Sequence, residues 1–168
     1  MRTIETNVYQ FNELNEAGKQ NAINLNNDIN VNFDWWECTY EDASNIGLKI
    51  TSFDLDRGRH AEGDFIFEAK DVIEAILENH GESCETYKTA TEFKNKLFPL
   101  IEKESKLEYR NYDLEAEIED LTDEFLQSIL EDYSIILQEE SEYLQSDEYI
   151  IETIIANQYE FTEEGNIF

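Results

Sequence analysis

Apolar residues recur every three or four positions between Leu114 and Ile136. They occur at steps of 4, 3, 4, 4, 4 and 3, at Leu114, Ile118, Leu121, Phe125, Ile129, Tyr133 and Ile136. This spacing places them on one face of a helix, so the pattern predicts a long α-helix over residues 113–142. Leu126, Leu130 and Leu137 widen that face. The helix is therefore expected to pack against a broad apolar surface.

Positive side chains are missing from the whole C-terminal third of the chain. Arg110 is the last basic residue, and Asn111 to Phe168 contain 18 Asp or Glu and no Lys or Arg. The full chain of 168 residues has 40 acidic and 12 basic residues, a net charge of −28, so residues 1–110 contribute −10 and residues 111–168 contribute −18. Charge thus predicts a mixed lobe over 1–110 and an acidic helical region over 111–168. We expect the two to pack as one compact domain.

Several short segments alternate between apolar and polar residues, as half-buried strands do. They are residues 4–8, 48–53 and 158–161, and residues 65–67 are the predicted hairpin partner of 48–53. The strand predicted over residues 158–161 is expected to join the sheet of the first lobe. The sequence therefore predicts a small antiparallel sheet.

Helices are predicted between these strands. Four of them begin at polar residues suited to the N-cap or the first turn, namely Asn12, Asp34, Asp71 and Ser146. Another is predicted from residue 83 to about residue 97, where Pro99 interrupts it or starts the next turn. The expected fold class is α+β, with a small antiparallel sheet, several helices and an acidic, mainly helical C-terminal region.

Charge and hydropathy exclude several classes of function. Direct binding to duplex DNA or to an anionic membrane is disfavoured, because Lys and Arg make the contacts with phosphate. The N-terminus lacks the apolar segment of a signal peptide, and the longest apolar runs are three residues, too short to span a membrane. Two cysteines, Cys38 and Cys84, fit a reducing compartment. We therefore expect a cytoplasmic protein.

The predicted acidic helix carries charge at nearly the density of a nucleic-acid strand. Its twelve acids over about 45 Å give one charge per roughly 4 Å, against ~3.4 Å per phosphate along one strand. A basic groove that binds DNA or RNA is thus a suitable partner for this face. The candidate partner-binding residues are Asp113, Glu117, Asp120, Asp123, Glu124, Glu131, Asp132, Glu139, Glu140, Glu142, Asp147 and Glu148. The alternative is a solvated face that only keeps the protein soluble.

Patterns for a metal site or for catalysis are weak. His80 and Cys84 have a spacing that suits two zinc ligands on a helical turn, but Cys38 and His60 are isolated in the sequence. The chain has no glycine-rich phosphate loop and no nucleophile elbow. The sequence therefore predicts no catalytic residues, no structural metal and no cofactor.

The segment from Asp54 to Asp64 permits two further interpretations. It begins like a calcium loop but lacks the glycine at position six and the glutamate at position twelve. Asp54, Asp56 and Asp64 are therefore either a weak divalent-cation site, on which a metal-dependent enzyme would depend, or a polar turn. Arg57, Arg59 and His60 form a local basic cluster that either pairs with the acidic half or contacts an anionic partner such as a guide RNA.

Two blocks within the first 90 residues resemble a known family. The first reads Tyr9-x-Phe11-x-Glu13-Leu14-x-Glu16-Ala17-x-Lys19 and continues to Ala22-Ile23. The second contains Asp34-Trp35-Trp36-Glu37, Tyr40-Glu41-Asp42-Ala43, Ile46-Gly47-Leu48-Lys49-Ile50 and Ser52-Phe53-Asp54. Together they resemble uncharacterised phage and prophage proteins, sometimes labelled antitoxin-like. The resemblance implies a phage origin and the cytoplasm of a bacterial host, and it supplies no catalytic residues.

These observations lead to one expected function and one alternative. By analogy with small acidic phage proteins, the chain is expected to be a non-enzymatic anti-CRISPR or anti-restriction inhibitor. Its partner would be a basic protein that handles nucleic acid, such as a CRISPR effector or a restriction enzyme. The alternative is an antitoxin-like or host-takeover module whose partner need not bind nucleic acid.

Overall fold

A computed structural model describes residues 7–168 of the chain. In chain order the elements are β1 (Tyr9–Gln10), α1 (Glu16–Leu25), α2 (Glu37–Asn45), β2 (Leu48–Asp54), β3 (His60–Phe65), α3 (Ala69–Asn79), α4 (Glu85–Ser105), α5 (Tyr112–Leu144), α6 (Asp147–Ala156) and β4 (Glu160–Phe161). Helices predominate, and the strands form two antiparallel pairs, β1 with β4 and β2 with β3. The expected α+β class is confirmed. The strand predicted over 4–8 lies, except for its last two residues, outside the described residues, and those two are not in a strand.

Packing divides the chain into two compact units. The central unit comprises Trp36–Gln138, and the terminal unit comprises the described residues up to Trp35 together with Glu139–Phe168. Helix α5 contributes to both units, with Gln138 as its last residue in the central unit. The division predicted at residue 110 follows charge, whereas these units follow the proximity of residues in the fold.

The central unit contains the hairpin of β2 and β3. Leu48 pairs with Phe65 and Asp54 with His60, with an irregularity between Ile50 and Ser52. The predicted hairpin is confirmed, but its second strand begins at His60 and ends at Phe65 instead of covering 65–67. The second strand begins earlier than predicted because the chain reverses direction just after Asp54. The Asp54 carboxylate accepts hydrogen bonds from the backbone N–H groups that follow it, which closes a tight turn.

Helices α3, α4 and α5 enclose the core of the central unit. Each contributes fully buried apolar residues, such as Ile73, Leu97 and Phe125. The Phe125 ring lies 5.2 Å, centroid to centroid, from the rings of both Phe65 and Phe93. The burial of Phe125 and of neighbouring residues confirms most of the apolar face predicted for α5, but Ile136, which was assigned to that face, is 38% exposed.

Helix α4 continues past its proline. Pro99 lies inside α4, which ends at Ser105, so the interruption predicted near residue 97 is wrong. Leu97 is fully buried and Ile101 packs against the same core, which holds the helix on both sides of the proline. Tertiary packing here outweighs the lost backbone hydrogen bond.

One of the predicted N-caps, Ser146, is confirmed, and two others, Asn12 and Asp34, are wrong. Ser146 caps α6 by accepting a hydrogen bond from the Tyr149 N–H, as expected. The cap of α1 is Asn15, whose side chain accepts from the Gly18 N–H at 2.9 Å, because Asn12 lies in a short 3-10 helix. Asp34 does not cap α2 either, since that helix begins at Glu37 after a turn, with no capping side chain.

The terminal unit has a separate, smaller core. Phe11, Ile23, Ile154 and Phe161 are buried in it, and the Phe11 and Phe161 rings meet edge to face at 6.4 Å. Of the strand predicted at 158–161, only Glu160–Phe161 is a strand, namely β4, and it pairs with β1 and not with the β2–β3 hairpin. The C-terminal turn is anchored on α1, because the Asn21 side chain donates a 2.8 Å hydrogen bond to the carbonyl of Glu164.

Candidate acidic interface on α5

Four carboxylates lie on one face of α5 in the central unit. Asp113, Glu117, Asp120 and Glu124 are spaced by 4, 3 and 4 residues, so they project from successive turns of the helix. They surround an open depression of about 440 Å³, whose remaining walls are Ala116 and Leu121. We call these four carboxylates the acidic ridge.

The acidic ridge is exposed and mostly without positive neighbours. All four side chains are exposed. Within residues 7–168, the only ion pair of the ridge joins Glu124 to the Lys96 ammonium at 3.8 Å. Lys96 lies closer to Glu92, at 2.7 Å, and a hydrogen bond with that carboxylate raises the pKa of Lys96. The ridge therefore presents nearly its full negative charge to solvent, and the predicted Asp123 is exposed beside it.

Glu131 and Asp132, two further predicted residues of the central unit, already have internal partners. The Arg59 guanidinium pairs with Glu131 and donates hydrogen bonds to Ser134 and Gln138, both at 3.2 Å. The half-buried Asp132 accepts a 2.7 Å hydrogen bond from the Thr89 hydroxyl, and burial raises its pKa. These two carboxylates support packing within the unit more than they support a docking surface.

The other five predicted residues lie in the terminal unit. Glu139, Glu140 and Glu142 are on the last turns of α5. Asp147 and Glu148 occupy the first turn of α6, where the helix dipole favours a negative side chain. The positions of Asp147 and Glu148 thus have a local structural cause.

The basic cluster around residue 58 is partly occupied by internal contacts. Arg59 pairs with Glu131, which confirms the internal interpretation for this residue. Nδ1 of His60 lies 2.8 Å from the carbonyl oxygen of Gly58 within the turn. Arg57 is exposed, and contact of this cluster with an RNA stays a prediction.

The Asp54 loop forms a polar turn. The Asp54 carboxylate accepts hydrogen bonds from the N–H groups of Asp56 and Arg57, at 2.8 and 3.2 Å, and these bonds lower its pKa. In the part of the chain that the structure describes, no three His, Cys, Asp or Glu residues are grouped so that they can hold a metal ion. The geometry thus favours the turn over the cation site.

One polar cluster was missed by the sequence reasoning. His80 is nearly buried, its Nδ1 lies 2.7 Å from the Thr86 hydroxyl, and its Nε2 lies 3.6 Å from the Asp42 carboxylate. Tyr133 donates a hydrogen bond to the same carboxylate. These residues are up to 91 positions apart, so no local pattern in the sequence could have revealed their contact.

Comparison of the chain with protein-family models, with curated proteins and with solved structures gave no match. The resemblance to phage proteins therefore stays a prediction. Over residues 7–168, no helix is both long and apolar enough to cross a membrane.

Proposed function

We propose that this protein is a phage-encoded, non-enzymatic inhibitor that binds the basic nucleic-acid-binding groove of a bacterial defence nuclease. A CRISPR effector or a restriction enzyme is the partner that this chemistry fits. The observation that carries the proposal is the acidic ridge, a row of exposed carboxylates on one helix of a chain that has no basic residue after Arg110.

The spacing of the acidic ridge supports this proposal. Asp113 and Glu124 are eleven residues apart, which corresponds to roughly 16 Å along a helix. A nucleic-acid strand of that length carries about five phosphates at ~3.4 Å each. Four carboxylates over the same length therefore offer Lys and Arg side chains a similar series of negative charges.

The rigidity of α5 also supports it. The buried face of the helix carries Leu114, Phe125 and Ile129, with at most 3% of their surface exposed. This packing fixes the orientation of the helix within the central unit, so little conformational entropy is lost when the ridge binds. Preorganisation of this kind increases affinity without further contacts.

The decisive experiment removes the charge of the ridge without changing its shape. The variant combines Asp113→Asn, Glu117→Gln, Asp120→Asn and Glu124→Gln. A matched control neutralises four exposed acids elsewhere, with Glu78→Gln, Glu82→Gln, Glu108→Gln and Glu152→Gln. Both variants change the net charge by the same amount, so any difference between them arises from position.

DNA cleavage by a guide-loaded CRISPR effector and by a restriction enzyme is measured with each variant at about 50 and about 200 mM salt. At the lower salt concentration, we expect the wild type and the control variant to inhibit at least one nuclease. At the higher salt concentration, we expect both to bind that nuclease less tightly. The ridge variant is expected to have lost inhibition at both. Equal inhibition by the folded ridge variant would exclude the mimicry, and salt-independent binding would favour the antitoxin-like alternative.

A further inference from the structure

A second concavity of the central unit lies between the start of α3, the C-terminal half of α4 and the first half of α5. It has a volume of about 340 Å³. This falls within the range of roughly 300–1,000 Å³ that is usual for sites of small ligands. We call it the α3–α4–α5 groove.

The floor of the groove is apolar. Ala69 and Leu97 are buried there, and Ile101 and Ile118 are partly buried beside them. Thr122 of α5 completes this side. The floor thus offers hydrocarbon contacts to whatever enters the groove.

The rim of the groove is acidic. Glu68, Asp71 and Glu104 line it, and within residues 7–168 none of these carboxylates forms an ion pair with a Lys or Arg side chain. Lys70 also lines the groove, but its ammonium is 4.0 Å from the Glu74 carboxylate and 5.7 Å from the centre of the Phe98 ring. The charge at the rim is therefore negative.

Glu104 is placed where its own helix disfavours it. It lies in the last turn of α4 and is half-buried, although the carboxyl end of a helix repels negative charge. Asp71 differs, because it lies in the first turn of α3, where the dipole favours a carboxylate. A half-buried carboxylate at an unfavourable helix end, above an apolar floor, is complementary to a cation that carries a hydrocarbon stem.

We infer that the α3–α4–α5 groove binds a single arginine side chain of the basic partner. The aliphatic stem would lie on Leu97 and Ile101, and the guanidinium would donate hydrogen bonds to Glu104 and Asp71. Arginine fits better than lysine, because its planar head offers several donors in fixed directions and is more weakly hydrated. The identity of the partner rests on the proposed function, whereas the chemistry of the groove does not.

The test uses two small probes and no nuclease. Nα-acetyl-arginine N-methylamide and its citrulline counterpart have the same stem, but only the first is charged. Each is titrated into isotope-labelled full-length protein, and amide chemical shifts are followed by NMR. We expect the arginine probe to shift the amides of Ala69, Ile101 and Thr122, and to bind about tenfold more tightly than the citrulline probe, because it makes a charge-assisted hydrogen bond.

Two variants locate the binding. Glu104→Gln is expected to weaken the arginine probe about tenfold, whereas Glu108→Gln, an exposed acid outside the groove, is expected to leave it unchanged. The spectrum of each variant also reports whether it is folded, and Asp71→Asn provides a second groove variant.

Equal binding of the two probes, unchanged binding by both folded groove variants, or shifts limited to the acidic ridge would overturn the inference. Groove binding by a protein that inhibits no nuclease would retain the inference and contradict only the proposed function.

Discussion

The hydroxyl of Tyr133 donates a 2.7 Å hydrogen bond to Oδ2 of Asp42. Tyr133 is fully buried on α5, whereas 54% of the Asp42 side chain on α2 is exposed. Nε2 of His80 lies 3.6 Å from the same carboxylate oxygen. The bond therefore joins the core of the central unit to its surface and anchors α2 against α5.

Removal of this hydroxyl is expected to destabilise the protein moderately. Tyr133→Phe retains the buried ring and deletes only the donor to Asp42, so we expect the free energy of unfolding to fall by about 1 kcal/mol. The loss is limited because water can reach the exposed carboxylate. Urea denaturation measures it, with Tyr109→Phe, on a side chain that is 84% exposed, as the control. An unchanged midpoint for Tyr133→Phe would show that the bond contributes nothing.

Alkaline pH is expected to destabilise the fold through Tyr133. Burial, together with the hydrogen bond to Asp42, raises the pKa of this hydroxyl well above its ordinary value of 10.0. Above that pH the unfolded chain loses the phenolic proton while the folded chain keeps it. The free energy of unfolding therefore falls as pH rises, by up to about 1.4 kcal/mol per unit, and is unaffected by this group below about pH 10.

Urea denaturation of the wild type and Tyr133→Phe, at pH values on either side of about 10, measures this effect. The variant is expected to show a shallower alkaline decline. Part of the decline should remain, because burial also raises the pKa of Tyr40. Identical slopes for the two proteins would contradict a role for Tyr133.

The C-terminal turn is expected to tolerate no side chain at Gly165. This residue has φ +84°, and a Cβ atom there would collide with the backbone carbonyl of Gly18 on α1. We expect Gly165→Ala to destabilise the terminal unit by about 1–3 kcal/mol. Gly81→Ala is the control, because a Cβ at Gly81 has no neighbour closer than 3.9 Å.

Amide hydrogen exchange of α1 and α6 measures the loss in the terminal unit. Faster exchange in Gly165→Ala and unchanged exchange in Gly81→Ala is the expected result. Equal protection in both variants would mean that the turn can move away from α1 at no cost.

Local patterns in the sequence predicted elements whose cause is itself local. Helix α5 follows from its apolar periodicity, and the N-cap of α6 follows from Ser146. Predictions were less accurate where two nearby residues of the same type could each have ended or capped an element. Asn12 and Asn15 are equally good capping residues by type, and the packing of the preceding 3-10 helix selects Asn15.

The same distinction between local patterns and distant contacts applies to the candidate site. The acidic ridge could be predicted because residues 3 or 4 apart on a helix share a face. The sequence could not predict which acids have an internal partner. Arg59 contacts Glu131 from 72 residues away in the sequence, and Thr89 contacts Asp132 from 43 residues away. The α3–α4–α5 groove was missed for the same reason. Glu104 gave no signal in the sequence, because the helix was expected to stop near residue 97, whereas α4 continues to Ser105.

The sequence by itself determined the helical α5, the excess of negative charge and the absence of bases after Arg110, since these depend on composition and on periodicity along one segment. Only the tertiary structure decided which carboxylates face solvent, which pair with Arg59 or Thr89, and which line a groove with an apolar floor. The physical reason is that burial and ion pairing depend on contacts between distant segments, and the energy of a carboxylate depends on those contacts.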